Sequence, residues 1–250
     1  MIFCSLWGLG SVLNRAFFRI RNFSLEKVLP SRSVWFQMRQ KIDEGRYLVA
    51  ARFLTAALFS VLVAGVLGAA PLRAATVVLD PGHGGYDPGG VPRQRFIEKK
   101  VTLEIAKRIE ARLRAAGHKV IMTRTDDVFV ELDDRVDISN SAPSRAVFVS
   151  IHCNSAPSSA PHGIETYHYS SRSARLAQAI HSRVVAATGA EDRGVRKARF
   201  FVLRNNRRVA VLVEMGFLTN SKEGAKLARD KRYQEKVAAA VAAGIQSVVR

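Results

Sequence analysis

The chain is 250 residues long, which is enough for one ordinary domain and an appendage. Hydrophobic residues make up 48% of it and charged residues 24%, a balance that excludes an intrinsically disordered protein. The formal net charge of +18 favours an anionic partner, such as a nucleic acid, a membrane surface or an acidic wall polymer, without distinguishing among them.

An uncharged apolar segment occupies residues 53–70, after a basic stretch that includes Arg46 and Arg52. A basic flank followed by an apolar run that ends in small residues is typical of a secretory signal. The 18 residues are also close to the minimum for crossing a bilayer, so an uncleaved anchor is an alternative, and a buried core helix is another. We predict that residues 1–75 are a cytoplasmic extension with a signal peptide or anchor, and that residues 76–250 are an exported folded domain.

Strand and helix patterns alternate from residue 76 onward. Short β-branched and apolar runs predict strands at 76–80, 119–124, 146–151, 164–169, 200–203 and 209–214. Apolar residues at four-residue spacing predict helices at 98–116, at about 172–188 and from about 231. This alternation predicts a single α/β domain, with a twisted, mostly parallel sheet flanked by helices.

Polar side chains follow three of the predicted strands at the points where they end. His83 comes shortly after the first strand, His152 comes directly after 146–151, and Glu214 ends the last strand. Open α/β sheets bind ligands at the carboxyl ends of their strands, so these three residues are candidates for one site. Taken singly, each has an ordinary alternative as a solvated turn or strand-end residue.

Glu98, at the start of a predicted helix, is a fourth candidate, although pairing with the helix dipole would also explain it. Two histidines and one carboxylate form a common catalytic zinc set that leaves a position open for water. Glu214 is then the proton-transfer group, since desolvation at the end of an apolar strand raises a carboxyl pKa. The residues therefore favour a zinc hydrolase without indicating its substrate.

Several further residues have weaker claims. Cys153 follows His152, so it is a candidate nucleophile or ligand, although a small apolar role is favoured. Glu165 and His168 are candidates for lining the cleft, and Asp126 and Arg135 for tethering loops. Three other histidines are predicted to be peripheral, in turns or on an exposed helix edge: His118, His162 and His181.

Six sequence blocks together resemble a known family. In chain order they are LDPGHGGYDPGG, a glutamate that opens a helix, TRTDDVFVELDDR, FVSIHCNSAP, GIETY and VAVLVEMGFLTN. Their order and spacing resemble the zinc-dependent N-acetylmuramoyl-L-alanine amidases of the Amidase_3 type, which have a phosphorylase/hydrolase-like α/β fold. The resemblance covers about residues 76–249 and identifies 76–250 as a zinc amidase catalytic domain.

The resemblance implies a role for each of the four candidates. His83, Glu98 and His152 would bind Zn²⁺, and Glu214 would be the catalytic base. The implied substrate is peptidoglycan, at the amide bond between the lactyl group of N-acetylmuramic acid and the L-alanine of the stem peptide. An enzyme with this substrate is expected to be exported to the periplasm or cell envelope.

Expectations about partners follow from the same comparison. Some relatives carry a helical insertion that plugs the site, but here His152 and Glu214 are only 62 residues apart, so we expect a monomer without an obligatory activator. We expect no nucleic-acid partner, and membrane contact only through an uncleaved anchor. The basic residues of segment 193–208 either add affinity for the wall or form a solvated face.

Two other classes of protein remain as alternatives. A different zinc peptidase or deacetylase is disfavoured, since the HExxH spacing of common zinc peptidases is absent. A catalytically inactive peptidoglycan-binding or amidase-activating module is disfavoured because binding alone does not need Glu214.

Overall fold

The computed structural model describes residues 33–34, 36–37, 74–90 and 95–249. The chain divides into two compact units, Met1–Ala70 and Pro71–Arg250. The predicted signal or anchor at 53–70 lies outside the described residues, so it stays a prediction. Within the described part, none of the helices combines the length and the apolar character needed to cross a bilayer.

The second unit has the alternating strand and helix order that the sequence predicts. Its strands are β1 (Thr76–Pro81), β2 (Lys119–Met122), β3 (Val147–Asn154), β4 (Ile164–His168), β5 (Asp192–Lys197) and β6 (Val209–Phe217). Its α-helices are α1 (Glu98–Ala115), α2 (Leu132–Ser141), α3 (Ala174–Thr188), α4 (Phe201–Arg204), α5 (Ser221–Arg229) and α6 (Lys231–Gln246), and a 3₁₀ turn at Ser171–Ser173 precedes α3.

The six strands form one sheet in the order β2-β1-β3-β6-β4-β5. Every neighbouring pair is parallel except β4 and β6, which are antiparallel. The predicted mostly parallel α/β sheet is therefore confirmed. The carboxyl ends of β1, β3 and β6 meet at one edge of the sheet, which is where this architecture places ligand sites.

Two apolar cores cover the two faces of the sheet. On one face, Leu79 of β1 packs in the same cluster as Ile105 of α1 and Val241 of α6. On the other face, Val78 packs with residues of α2 and α4, including Val202. Successive residues of β1 thus point into different cores, so the strand is apolar without alternation, as expected for a strand buried on both sides.

The predicted strand at 200–203 is wrong, since Phe201–Leu203 belong to the short helix α4 and Phe200 precedes it. The run Phe200–Leu203 is apolar, and a short apolar run does not distinguish a strand from a buried helical turn. In the structure Val202 and Leu203 enter the core, while Phe200 stays 41% exposed. One short helical turn thus buries Val202 and Leu203, while Phe200 before it remains at the surface.

Candidate active site

His83 lies in the tight loop that follows β1, at the edge of the sheet. A hydrogen bond of 3.0 Å from the Gly82 amide to the Ile151 carbonyl joins this loop to β3. His83 adopts a φ of 62°, in the left-handed region that residues other than glycine seldom occupy. Such a conformation persists where surrounding contacts hold it, and it occurs often at functional sites.

Two buried arginines hold the loop by its carbonyl groups. Arg124 donates from Nη2 to the Gly82 carbonyl at 2.8 Å. Arg135 donates from Nη2 to the His83 carbonyl at 2.8 Å and from Nη1 to the Asp80 carboxylate at 2.7 Å. The planar, multiply donating guanidinium suits such a cluster of buried oxygens. Arg135 therefore has the loop-tethering contacts predicted from the sequence.

Glu98 begins α1 and turns its carboxylate into the protein, where the residue is only 2% exposed. Its Oε2 lies 3.2 Å from Nε2 of His83, and its Oε1 lies 3.1 Å from Nδ1 of His152. Burial raises the pKa of Glu98, but the hydrogen bonds and charges of the two imidazoles outweigh burial and lower it to about 2. Glu98 is therefore a buried, ionised carboxylate.

Two glycines make room for the three side chains to converge. A Cβ atom at Gly82 would lie 2.2 to 2.6 Å from ring atoms of His152. A Cβ atom at Gly89, whose φ is +75°, would lie 2.6 Å from Cδ2 of His83 and 2.7 Å from Oε2 of Glu98. Since real Cβ contacts are not this short, any larger residue at these positions would displace a ring or the carboxylate.

The donor set fits a divalent metal ion. One donor atom from each of His83, Glu98 and His152 lies within 4.8 Å of the others. The salt bridges of Glu98 within the described residues are to these two histidines and not to Lys or Arg. Two imidazoles with one carboxylate suit zinc and leave coordination positions open. The structure thus brings the three predicted ligands together, and their role as ligands stays a prediction.

Asp87 is a functional candidate that the sequence analysis missed. Its Oδ2 lies 2.7 Å from Nδ1 of His83, which orients the ring so that Nε2 faces Glu98. Histidines that bind metals commonly have such an outer carboxylate partner. The signal was available in the sequence, since Asp87 lies four residues after His83 within the same Gly-rich turn.

Glu214 lies in β6 directly opposite His152 of β3. Its Oε2 atom is buried and has no hydrogen-bond partner among the described residues. Burial, together with repulsion from the carboxylates of Glu98 and Glu165, raises the pKa of Glu214 well above its ordinary value. An unpaired carboxylate with a raised pKa is suited to accept a proton and to release it again.

The four predicted residues all line one cleft of about 690 Å³. Apolar side chains from the loop before α2 and from the start of α4 form much of the remaining wall: Phe129, Val130, Leu132, Phe200, Phe201 and Val202. A few convergent polar groups in a largely apolar cleft are typical of a binding or active site.

The weaker candidates are mostly structural. Cys153 is buried in the core, and burial raises the pKa of its thiol well above the ordinary value, which favours the small apolar role. Glu165 is opposite Glu214 across β4 and β6 but does not line the cleft. His168 is buried, with Nδ1 3.0 Å from the Ser170 carbonyl oxygen, and it does not line the cleft either.

The prediction that His181 lies on an exposed helix edge is wrong. Only 2% of the residue is exposed, and its ring nitrogens lie 3.1 Å from Oγ1 of Thr166 and 2.8 Å from Oδ1 of Asp192. His118 is buried as well, and its Nδ1 accepts a hydrogen bond from the Ala75 amide. Both rings are held between elements that are distant in sequence, so their burial was not visible in the local pattern.

Comparison with known proteins identifies the family. The family model Amidase_3, described as N-acetylmuramoyl-L-alanine amidase, matches residues 77–247. The chain is 38% identical over 184 residues to the N-acetylmuramoyl-L-alanine amidase LytC of Bacillus subtilis. The match covers 72% of this chain and 36% of LytC, so the chain spans about a third of that relative.

Two solved amidase structures match over nearly their whole length. The catalytic domain of CwlV, an N-acetylmuramoyl-L-alanine amidase from Bacillus (Paenibacillus) polymyxa, superposes with a TM-score of 0.64 at 40% identity, covering 70% of this chain and 99% of that one. The CwlD amidase of Clostridioides difficile, solved in complex with the GerS lipoprotein, has a TM-score of 0.65 at 32% identity and covers 69% and 97%. This chain belongs to the N-acetylmuramoyl-L-alanine amidase family.

Proposed function

We propose that this protein is a zinc-dependent amidase that hydrolyses the bond between N-acetylmuramic acid and L-alanine in peptidoglycan. One observation carries the proposal. His83, Glu98 and His152 converge within 4.8 Å of one another, and the partnerless Oε2 of Glu214 lies in the same cleft. Family membership supports peptidoglycan as the substrate, and this geometry supports metal-dependent hydrolysis as the reaction.

In this proposal His83, Glu98 and His152 would hold Zn²⁺, which when bound would polarise the scissile carbonyl and make a water molecule acidic enough to lose a proton near pH 7. Glu214 accepts that proton at Oε2. It then donates the proton to the amide nitrogen of L-alanine as the carbon–nitrogen bond breaks. The products are a carboxylate on the lactyl group and a free amino group on L-alanine, so one water is consumed per bond.

The first test compares the wild-type protein with Glu214→Gln, which keeps the shape of the side chain and removes its basicity. We expect purified wild-type protein to release L-alanine amino termini from peptidoglycan, detected by mass spectrometry. This release should stop when a chelator is added. We expect Glu214→Gln to retain zinc but to lose at least about 100-fold in rate, the usual minimum for general acid–base catalysis.

Asp133→Asn is the control, because Asp133 is exposed at the start of α2 and does not line the cleft. It is expected to keep nearly full activity. Zinc-loaded wild-type protein that binds the wall without releasing amino termini would instead support the inactive binding module. Cleavage that survives both the chelator and Glu214→Gln would contradict the zinc mechanism.

We further propose that the protein acts in the periplasm or cell envelope, as a monomer without an obligatory activator. The segment between β3 and β6 consists of β4, a 3₁₀ turn, α3, β5, α4 and their loops. With this segment in place, Glu214 still lines the cleft. Purified protein alone is expected to elute as a monomer and to cleave peptidoglycan. Activity that appears only after a second protein is added contradicts this.

A further inference from the structure

A line of polar residues runs across one face of the sheet, from the candidate metal site toward the sheet edge. His152 of β3 is opposite Glu214 of β6, Glu214 is opposite Glu165 of β4, and Tyr167 of β4 is opposite Arg196 of β5. Paired residues in neighbouring strands share a face, and so do residues two apart in one strand. Arg196 therefore lies on the Glu214 face, and we call His152, Glu214, Glu165 and Arg196 the polar row.

The carboxylate of Glu165 is already well satisfied without Arg196. It accepts hydrogen bonds from Asn154 Nδ2 at 2.8 Å, from the Tyr167 hydroxyl at 2.7 Å and from Arg193 Nε at 3.0 Å. Nη1 of Arg196 is 3.7 Å from the same carboxylate, too far for a good hydrogen bond. Glu165 is thus neutralised mainly by Arg193.

Arg196 consequently keeps an available positive charge. Its Nε and Nη2 donate to the Arg193 carbonyl at 3.2 and 3.0 Å, which anchors the guanidinium without neutralising it. The side chain of Arg196 is 53% exposed, whereas that of Arg193 is 28% exposed and also lies 3.9 Å from Glu191. Arg196 is therefore better placed than Arg193 to bind an anion from solvent.

Arg196 does not line the cleft itself, but Tyr167 links it to a residue of the cleft wall. Tyr167, opposite Arg196, packs edge-on against Phe200 with ring centroids 5.1 Å apart, and Phe200 lines the cleft. Two strand spacings and a two-residue offset along β4 separate Glu214 from Arg196, about 12 Å in all. Two residues of extended peptide span about 7 Å, and the length of an arginine side chain bridges the remainder.

We propose that Arg196 binds a carboxylate on the stem-peptide residue that follows L-alanine. This inference rests on the proposed function, which places the scissile amide in the cleft that His152 and Glu214 line. A peptide leaving that point along the polar row presents its next residue to Arg196. Guanidinium and carboxylate form paired, charge-assisted hydrogen bonds, so Arg196 selects substrates that carry a free carboxylate there over substrates in which it is an amide.

The test uses two synthetic substrates that differ in one group. They are N-acetylmuramoyl-L-alanyl-D-glutamate with its γ-carboxyl blocked as a methylamide, and the same compound in which the glutamate α-carboxylate is also an amide. We expect Arg196→Gln to raise KM for the acid about tenfold, the size typical of one partly exposed charge-assisted contact, with kcat little changed. KM for the amide should be the same in Arg196→Gln as in the wild type. For the acid, Arg196→Lys should have a KM between those of the wild type and Arg196→Gln.

Lys197→Gln is the matched control, because it removes the same charge one residue later, on the opposite face of β5. It should leave both KM values unchanged. Equal effects of Arg196→Gln and Lys197→Gln, or equal effects of Arg196→Gln on both substrates, would overturn the subsite while leaving the amidase reaction intact. If the wild-type protein cleaves neither substrate nor peptidoglycan, the proposed function itself fails, and the subsite with it.

Discussion

Asp80, a residue of β1, anchors the arginine that holds the His83 loop. Its carboxylate accepts hydrogen bonds from Arg135 Nη1, Thr123 Oγ1 and Ser150 Oγ, each 2.7 Å long. Only 1% of Asp80 is exposed, and Arg135 is 3% exposed. Removing one partner of such a pair leaves a buried charge uncompensated, which typically costs about 3–5 kcal/mol. The pair therefore couples the stability of the domain to the position of a candidate metal ligand.

This pair predicts a specific dependence of stability on pH. Burial raises the pKa of Asp80, but the charge of Arg135 and the hydrogen bonds from Ser150 and Thr123 outweigh burial and hold it below the ordinary 3.8. Since the unfolded chain binds this proton more readily, the contribution of Asp80 is complete well above pH 3.8 and is lost as the pH falls through the lower, folded pKa.

Urea unfolding of wild type and Asp80→Asn measures this contribution. We expect the difference in unfolding free energy to be constant above about pH 5 and to shrink below about pH 4. Asp133→Asn is the control, because Asp133 is exposed and makes no salt bridge among the described residues. A difference between wild type and Asp80→Asn that does not change with pH would show that the carboxylate charge is not what stabilises the fold.

At the scale of elements, the sequence predicted those whose apolar patterns are strong. β1, α1 and α6 appear close to their predicted bounds. β3 and β6 also appear, but each continues three residues past its predicted end, so His152 and Glu214 lie within strands. All five elements bury a continuous run or a regular stripe. β5 was missed because the edge strand DRGVRK is charged, with no residue fully buried. Helices α2 and α5 were missed too, since they are short and mostly polar.

The contact between α3 and α6 shows how closely two elements approach each other. A Cβ atom at Gly244 of α6 would lie 2.6 Å from Cα of Ile180 in α3. Gly244→Ala should gain about 0.8–1.0 kcal/mol from helix propensity. It should lose about 1–3 kcal/mol from overpacking, since the nearest atom belongs to backbone and cannot rotate away.

We therefore expect Gly244→Ala to lower the free energy of unfolding by about 1 kcal/mol, measured by urea denaturation. The exposed neighbour Ala243 provides the contrast, because Ala243→Gly tests helix propensity without a packing change. If Gly244→Ala stabilises the protein, the two helices have room to move apart.

At the scale of the whole molecule, positive charge dominates. Residues 76–250 contain 29 Lys and Arg and 18 Asp and Glu, a net charge of +11 out of the +18 of the chain. Within segment 193–208, seven basic residues occur and no acidic residue. A surface of this kind attracts anionic polymers over roughly the Debye length, about 10 Å at 0.1 M salt.

Binding to the wall should therefore depend on salt. We expect the inactive Glu214→Gln protein to sediment with purified peptidoglycan at about 0.05 M sodium chloride and to be released progressively up to about 0.5 M. An uncharged polysaccharide such as chitin serves as the comparison and should retain little protein. Binding that is unaffected by salt would indicate that the basic residues form only a solvated face.

The sequence by itself determined the α/β class, the family and four of the residues that line the cleft. It could do so because apolar periodicity is local and because the motif blocks follow one another in a recognisable order. The tertiary structure alone decided that the Glu98 carboxylate faces two histidines, that Arg124 holds the His83 loop, and that Arg196 shares a face with Glu214. These relations depend on strand register and on burial between distant segments, and no local pattern of side chains encodes either.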